Sequence, residues 1–328
     1  MSEFYTSINH IPKKIENRIR GIFSKYEIDI DNASLVCSNE KSMLFRSSAG
    51  QRYIIKLERQ PKEYNRCLLG WGSLLLKEAS KIGKYIPNVL FHKELEAEWW
   101  IVGYEYVEGN TLRETLQKTN GLGRAQLLLS MGRMLRHIHN SGCFLTKDLD
   151  RVLLNCWKEY TKTFMLYVEK LFFDCKIPSS FYHIIKVGIN QLDKLKTPLF
   201  TRFCHGDPSA SNIIVKAKDH LVLIDWGHSK IAPPELDIVR LEYTSLKQKQ
   251  NILDHRDYHE ILSGYYHGSD IPMMSVYLRH TLLAYWFCVT LLNNYNLYVK
   301  HDITSDFEFF NSIARLANKI MDIFSSSR

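Results

Sequence analysis

Three polar residues in the segment 205–226 have the types and the spacing that phosphoryl transfer requires. Asp207 and Asn212 are five residues apart, and Asp225 follows thirteen residues after Asn212. A carboxylate can orient a hydroxyl nucleophile and accept its proton, while carboxamide and carboxylate oxygens are ligands that Mg²⁺ accepts against nucleotide phosphates. The spacing therefore predicts Asp207 as a catalytic base, and Asn212 and Asp225 as ligands of a divalent metal ion.

The residues between Asn212 and Asp225 are expected to bring these two side chains together. Ile213–Val215 and Leu221–Ile224 read as the two strands of a β-hairpin, which returns the chain to its starting point. A single Asp or Asn in a loop is more often a turn former or a helix cap. The combination, with Trp226 directly after Asp225, favours the catalytic interpretation over coincidence.

The segments His205–Asn212 and Ile224–Trp226 together resemble the signature of the aminoglycoside phosphotransferase and choline kinase family, the small-molecule relatives of protein kinases. The resemblance implies an α+β, protein-kinase-like bilobal fold, with a small N-terminal lobe of antiparallel sheet and helices and a larger, mainly helical C-terminal lobe. It also implies transfer of the γ-phosphate of ATP, with Mg²⁺, to a hydroxyl group of a small molecule. Within the family pattern, His205 is expected to hold the loop and Asp237 to brace the fold.

The order of the predicted elements agrees with two lobes. Strands are predicted at 33–37, 42–46, 52–57, 89–92 and 99–106, and helices at 13–26, 62–69, 72–83, 111–118, 124–140, 150–175 and 180–195. We therefore expect a nucleotide-binding lobe over residues 1–105 and a catalytic and substrate-binding lobe over residues 106–328. The nucleotide is expected in the cleft between them.

Lys56 lies inside an apolar strand, Tyr53–Leu57, where a lysine is costly to bury without a partner. Contact with nucleotide phosphates and with a helix glutamate would explain this placement, and the resemblance implies that role; a solvent-facing lysine on an edge strand is the alternative. Glu63 and Glu78 are both candidates for the glutamate. We favour Glu78, because its separation from Lys56 is nearer to that of the family.

Two further residues are predicted to contact the nucleotide. The turn between the first two predicted strands of the small lobe, residues 38–43, has no glycine-rich pattern, but Ser42 and backbone amides there are expected to approach phosphate. An ordinary hairpin turn is the alternative interpretation. The segment Tyr104–Glu108 resembles the hinge of the family, where Tyr106 is expected to pack against the adenine; an aromatic residue there is as often part of the core.

Composition limits the remaining classes of function. The 328 residues are 45% apolar and 24% charged, which is ordinary for a soluble globular protein, and no secretory signal is predicted. The apolar run 281–292 is too short to span a bilayer and is expected to be a buried helix. Seven cysteines without a CxxC pair indicate reduced thiols in the cytoplasm rather than a disulfide framework or a zinc site.

The net charge of +8 comes without a stripe of basic and aromatic residues, so neither nucleic acid nor a membrane is an expected partner. Nothing in the sequence predicts the oligomeric state. From Ala232 onward the chain has eleven acidic and nine basic residues, and Asp254, Asp257 and Glu260 are spaced for one face of a helix. Acids on a helix are usually only solvated, but an acidic acceptor site would suit a polycation.

The leading hypothesis for the acceptor is therefore an aminoglycoside-type antibiotic or an amino sugar. A metabolic kinase for choline, a sugar or an amino alcohol is the alternative. A nucleotide-binding regulatory protein or a protein kinase is a third possibility, although the chain retains its predicted catalytic residues and has no Ala-Pro-Glu segment after Asp225. Directly after Trp226, Gly227 and His228 depart from the family pattern, where an acid commonly follows the tryptophan.

Overall fold

The computed structural model contains eight α-helices and ten β-strands within the residues that it describes. It describes residues 13–35, 42–47, 52–59, 83–96, 99–141, 165–166, 168–170, 179–192, 202–217, 220–247, 253, 255–267, 273–301 and 307–326. The helices are α1 (Lys13–Lys25), α2 (Leu112–Lys118), α3 (Gly121–Ser141), α4 (Ser179–Leu192), α5 (Glu235–Lys247), α6 (His255–Tyr266), α7 (Val276–His301) and α8 (Phe307–Ser326).

The strands are short, and most of them lie in the first part of the chain. They are β1 (Ile28–Leu35), β2 (Ser42–Ser47), β3 (Arg52–Arg59), β4 (Val89–Glu96), β5 (Trp99–Glu105), β6 (Asn110–Thr111), β7 (Arg202–Cys204), β8 (Ile213–Ala217), β9 (His220–Leu223) and β10 (Lys230–Ala232). The predicted strands match β1 to β5 with shifted ends. The predicted helix at 62–69 lies outside the described residues, as do all but the last residue of that at 72–83 and most of that at 150–175.

The chain forms two compact units, of which the first contains Met1–Thr115 and Ala210–Lys230. Its main sheet has five antiparallel strands in the order β1-β2-β3-β5-β4. The helix α1 packs against this sheet with an apolar face that recurs at helical spacing. The buried residues of this face are Ile15, Ile19, Ile22 and Phe23.

A second sheet in the same unit consists of β6, β8 and β9, and it contains the predicted hairpin. The strands β8 and β9 pair antiparallel, with Ile213 opposite Leu223. The backbone N–H of Leu223 donates to the carbonyl of Tyr85 at 2.9 Å, which attaches the hairpin to the loop before β4. These contacts explain why the short segment Ala210–Lys230 belongs with residues that lie far before it in the chain, whereas the lobe boundary after residue 105 stays a prediction.

The second unit contains Leu116–Ser209 and Ile231–Arg328. Its core is mainly helical and is built around α7, whose residues 281–288 are all buried. Residues of α4, α5 and α8 pack on α7, including Ile184, Val239 and Ile320. The apolar run that the sequence analysis assigned to a buried helix is therefore inside this core, and among the described helices none combines the length and the hydropathy of a membrane span.

Helices α3 and α6 approach each other backbone to backbone at two glycines. A Cβ atom on Gly132 would overlap the carbonyl oxygen of Ile261, and one on Gly264 would overlap that of Leu129. Because rigid helix backbone lies opposite each glycine, the contact cannot be relieved by the rotation of a side chain. The glycines therefore fix the distance between the two helices.

We expect Gly132→Ala to lower the free energy of unfolding by about 3 kcal/mol, because the added methyl group forces the two helices apart. Denaturant unfolding measures this change. Gly21→Ala is the matched control, since a Cβ at this exposed position in α1 meets nothing within 4 Å. It should leave stability unchanged or raise it by up to about 1 kcal/mol through helix propensity. Equal stability of the two variants would contradict the close packing.

Candidate active site

The loop that presents Asp207 is held by one buried carboxylate. Asp237, on the first turn of α5, accepts the backbone N–H of His205 at Oδ2 and that of Gly206 at Oδ1, both at 2.7 Å. Gly206 has φ of 85°, a left-handed conformation that glycine adopts without strain and that lets successive N–H groups converge on one acceptor. The backbone immediately before Asp207 is therefore fixed by its hydrogen bonds to Asp237.

A histidine on α3 completes the support of Asp237. His139 and Asp237 are both fully buried, and His139 Nε2 lies 3.0 Å from Asp237 Oδ2. Burial raises the pKa of Asp237, but the hydrogen bond and electrostatic attraction of His139, the attraction of His205 and the Gly206 N–H together hold it below its ordinary value. Asp237 is thus a carboxylate that only accepts, so His139 carries a proton on Nε2. The Tyr265 hydroxyl lies 2.7 Å from Nδ1.

Asp207 itself is partly exposed and forms an ion pair with an arginine. Arg240, one helical turn after Asp237 on α5, donates from Nε to Asp207 Oδ1 at 2.9 Å. The guanidinium carbon of Arg240 lies 4.3 Å from the ring centroid of Trp286, a buried residue of α7. The backbone N–H of Asp207 also lies 3.2 Å from His205 Nδ1, in agreement with the loop-holding role expected of His205.

The two predicted metal ligands, Asn212 and Asp225, lie at the base of the β8–β9 hairpin. The backbone N–H of Ile224 donates to the carbonyl of Asn212 at 2.8 Å, so the residue before Asp225 pairs directly with Asn212. The hairpin that was predicted from the two apolar runs is confirmed. It brings the backbone of Asn212 next to the residue before Asp225, whereas their role as metal ligands stays a prediction.

Asp225 has an unusual backbone conformation, with φ of 64° and ψ of 60°. Left-handed conformations cost free energy in residues other than glycine, although Asp and Asn tolerate them best. The following turn is anchored by Trp226, which is buried and donates from its indole Nε1 to the carbonyl of Leu223 at 2.7 Å. Ser229 closes the turn by donating from its N–H and its hydroxyl to the Trp226 carbonyl. Such strain at a defined carboxylate is typical of functional sites.

Lys56 forms an ion pair with Asp225 Oδ1 within the first unit. The lysine side chain is 16% exposed, and the neighbours Ile55 and Leu57 on β3 are buried. In the register of the sheet, Ser42 on β2 lies opposite Lys56. The structure thus places three predicted ligand-binding positions in one region of the unit, whereas Glu63 and Glu78 lie outside the described residues, so the glutamate partner of Lys56 stays a prediction.

The donor set at the hairpin fits a hard divalent cation. Asn212 supplies a carboxamide oxygen and Asp225 a carboxylate, which are oxygen ligands of the kind that Mg²⁺ takes together with phosphate oxygens and waters. The carboxylate of Asp225 already has one cationic partner, the ammonium group of Lys56. A second group, His139, Cys204 and Asp237, also clusters in space. Both ring nitrogens of His139 already have hydrogen-bond partners, Asp237 and Tyr265. We therefore interpret this second group as part of the support of the loop before Asp207.

Tyr106 directly follows β5 and is held by Arg52. Its N–H donates to the Arg52 carbonyl at 2.9 Å, and the Arg52 guanidinium carbon lies 4.4 Å from the centre of the Tyr106 ring. Arg52 also forms an ion pair with the exposed Glu108 at 2.8 Å. One face of the Tyr106 ring is therefore covered by a side chain, and an adenine could stack only on the opposite face.

The acids that suggested a polycationic acceptor have different surroundings from those expected. Asp257 on α6 is buried and accepts two hydrogen bonds from Arg124 of α3, at 2.9 and 2.5 Å. Glu260 is partly buried, and Asp254 lies outside the described residues. Asp257 consequently forms a buried ion pair with Arg124 and is not an exposed carboxylate on an acidic surface.

Sequence reasoning assigned no role to Arg240, Trp286, His139 or Arg124. Arg240 lies three residues after Asp237 on the same helix, and this spacing is a weak sequence signal that both residues face the same side. His139 and Arg124 contact acids that lie 98 and 133 residues later in the chain, and no local pattern indicates such pairs.

Comparison with known proteins agrees with this geometry. The model of the phosphotransferase enzyme family (APH) matches residues 38–260, which include Lys56, the loop with Asp207, and the hairpin. The chain belongs to the phosphotransferase enzyme family. The resemblance noted from the two short signatures is thereby confirmed, over most of the chain. No curated protein matches the chain in sequence.

Solved structures of other family members share the fold at low sequence identity. The GDP and kanamycin complex of APH(2″)-IIIa is 13% identical, with a TM-score of 0.62 over 95% of this chain and 99% of that chain. Choline kinase LicA from Streptococcus pneumoniae is 18% identical, with a TM-score of 0.60 over 94% and 99%. Macrolide 2′-phosphotransferase MphH from Brachybacterium faecium is 13% identical, with a TM-score of 0.58 over 92% and 98%. The predicted α+β, protein-kinase-like fold is confirmed.

A second acid of this phosphotransferase, Glu235, lies two residues before Asp237. Its side chain is only 5% exposed, at the start of α5 after Pro233 and Pro234. Burial raises the pKa of Glu235 from 4.5 to about 7, although its own backbone N–H acts in the opposite direction. The unfolded chain would titrate at the ordinary value. Between pH 4.5 and 7 the folded state therefore binds more protons than the unfolded state, and stability from this group falls as the pH rises.

We expect Glu235→Gln to raise the free energy of unfolding at pH 8 by about 3 kcal/mol, because the ionised carboxylate is no longer buried. At pH 4.5 the variant and the parent protein should differ little. Urea unfolding across this range measures the effect, with Glu94→Gln on the exposed face of β4 as the control. A Glu235→Gln variant that is destabilised at pH 8 and much less at pH 4.5 would show that the charged form is the stable one.

Proposed function

We propose that this protein transfers the γ-phosphoryl group of ATP to a hydroxyl group of a small molecule. The observation that carries the proposal is the fixed, partly exposed carboxylate of Asp207, on a loop whose backbone N–H groups bind Asp237. A carboxylate in a fixed position can orient the hydroxyl and accept its proton as the new O–P bond forms. Proton acceptance by Asp207 is the acid–base step of the proposed reaction.

The first unit supplies the residues proposed to bind the nucleotide. Asn212 and Asp225 would hold Mg²⁺, which neutralises charge on the β- and γ-phosphates when it is bound. Lys56 would contact the phosphates together with Ser42, and Tyr106 would pack on the base. The pairing of Lys56 with Asp225, and the register of Ser42 with Lys56, support this assignment. We also retain Glu78 as the proposed partner of Lys56.

For the acceptor, we propose a metabolite rather than an aminoglycoside-type antibiotic. The burial of Asp257 and its pairing with Arg124 remove one carboxylate from the acidic surface that a polycation would need. The structural neighbours include enzymes named for aminoglycosides, a macrolide and choline, so the fold alone does not choose among them. We propose a small hydroxyl compound as the acceptor and the cytoplasm as the location.

Asp207→Asn should lower kcat for phosphoryl transfer by about 10²- to 10⁴-fold, because the amide cannot accept the hydroxyl proton. Nucleotide affinity should stay the same, since the proposed nucleotide ligands belong to other residues. ADP release over a panel of hydroxyl compounds and calorimetric titration with ADP measure the two quantities. The surface variant Asp322→Asn controls for the charge change. Unchanged turnover in Asp207→Asn would rule out this residue as the base.

Asp225→Asn should weaken ADP binding about tenfold in the presence of Mg²⁺ and little in its absence, because a neutral amide is a poorer ligand for the cation. Calorimetric titration with and without EDTA separates the two conditions. Asp207→Asn, which removes the same charge from a different loop, is the matched control and should bind Mg²⁺–ADP normally. The assignment of Asp225 fails if both variants lose the same affinity, or if EDTA does not affect the parent protein.

A further inference from the structure

Arg240 is a fixed cation beside the proposed base. Its Nε donates to Asp207 Oδ1 at 2.9 Å, and its guanidinium lies against the Trp286 ring with 4.3 Å between the guanidinium carbon and the ring centroid. Trp286 is 6% exposed, whereas the Arg240 side chain is 24% exposed. The guanidinium is thus held by two contacts and still open to solvent, which is the arrangement that prepares a charged group for a ligand.

The guanidinium retains donors beyond the one that Asp207 uses. Arginine has five N–H groups in a planar fork. Within the described part of the chain, Arg240 donates to Asp207 through Nε alone, which leaves the N–H groups on Nη1 and Nη2 for another acceptor. The two terminal NH₂ groups of the guanidinium lie in one plane, and together they can donate to two oxygens of a carboxylate or of a phosphate.

Two buried acids of the described helices α5 and α6 are already paired with arginines. Glu242 on α5 is buried and accepts Nε of Arg279 at 3.0 Å, and Asp257 on α6 is paired with Arg124. The helix α7, which contributes Trp286, has no Asp or Glu in its 26 residues. An ammonium group on the carbon next to the reacting hydroxyl would therefore meet the charge of Arg240, and neither Glu242 nor Asp257 would offset it, because each is already paired with another arginine.

We propose that the acceptor is an anionic hydroxy compound, with a carboxylate or phosphate group a few bonds from its reacting hydroxyl, and that Arg240 binds this group. This inference rests on the proposed function. Because Arg240 and Asp207 are joined by a single hydrogen bond, the oxyanion and the hydroxyl must lie close together in the same molecule. Arg240 is then the residue that selects the acceptor by charge, while Asp207 accepts the hydroxyl proton.

A charge-matched series of three-carbon compounds tests the proposal. It consists of glycerate, glycerol 3-phosphate, glycerol and 3-amino-1,2-propanediol, with kanamycin added as a polycation. For each compound, ADP release gives kcat and KM, and calorimetric titration of the nucleotide-loaded protein gives affinity. We expect the two anions to have the highest kcat/KM and the amine and kanamycin the lowest. A difference between glycerate and glycerol 3-phosphate identifies which oxyanion the site takes.

Arg240→Gln should reduce the preference for anions over glycerol by about 10- to 100-fold, mainly through KM, because the charge-assisted contact with the anion is lost. Arg240→Lys should restore part of the preference, because it keeps the charge without the planar fork. Arg315→Gln, at an exposed position of α8, controls for the loss of a positive charge. Circular dichroism and thermal unfolding confirm that each variant is folded.

The outcomes separate this inference from the proposed function. Transfer to the amine or to kanamycin with no loss in Arg240→Gln would refute the anionic acceptor and leave the phosphotransferase proposal standing. An equal fall in kcat for every compound would also refute it, since Arg240 would then only position Asp207. Binding of anions that depends on Arg240, without transfer to any compound, would support the anion site and refute the proposed reaction. No binding of either anion at tens of millimolar overturns the inference.

Discussion

The geometry of the proposed catalytic loop depends on one buried carboxylate, that of Asp237. A fully buried charge is tolerated only when it is paired and hydrogen-bonded, because its desolvation costs several kcal/mol. Here two backbone N–H groups and the His139 imidazole are the partners. The same bonds that stabilise the charge fix the backbone of His205 and Gly206, so the position of Asp207 follows from the need to satisfy Asp237.

The hairpin is organised by different interactions within the first unit. The β8–β9 pairing places Asp225 near Asn212, and the buried indole of Trp226 holds the turn after it. The left-handed backbone of Asp225 is held by these surroundings, since nothing intrinsic to aspartate favours it strongly. The signature that is continuous in sequence is therefore supported in two separate units, with the division between Ser209 and Ala210.

Much of this organisation could be predicted from the local order of apolar and polar residues, because that order reflects the periodicity of helices and strands and the residue types of turns. The apolar face of α1, the strands of the five-stranded sheet, the hairpin and the buried run in α7 all follow from residue spacing. The pairings of Arg240 with Asp207 and of His139 with Asp237 do not, because they join helices and loops that are distant in sequence. Such tertiary contacts produce no periodic pattern in a single amino-acid sequence.

Asp257 shows why the charge of the acceptor is hard to infer from spacing alone. Acids at helical intervals are expected to share a face, but the spacing does not tell whether that face is turned to solvent or to a neighbouring helix. In α6, Gly264 lies against the backbone of α3, and Arg124 on α3 forms an ion pair with Asp257. The local charge that a ligand meets is therefore set by which ion pairs the packing completes. By that measure the cation beside Asp207 carries more information about the acceptor than the count of acids in the C-terminal region.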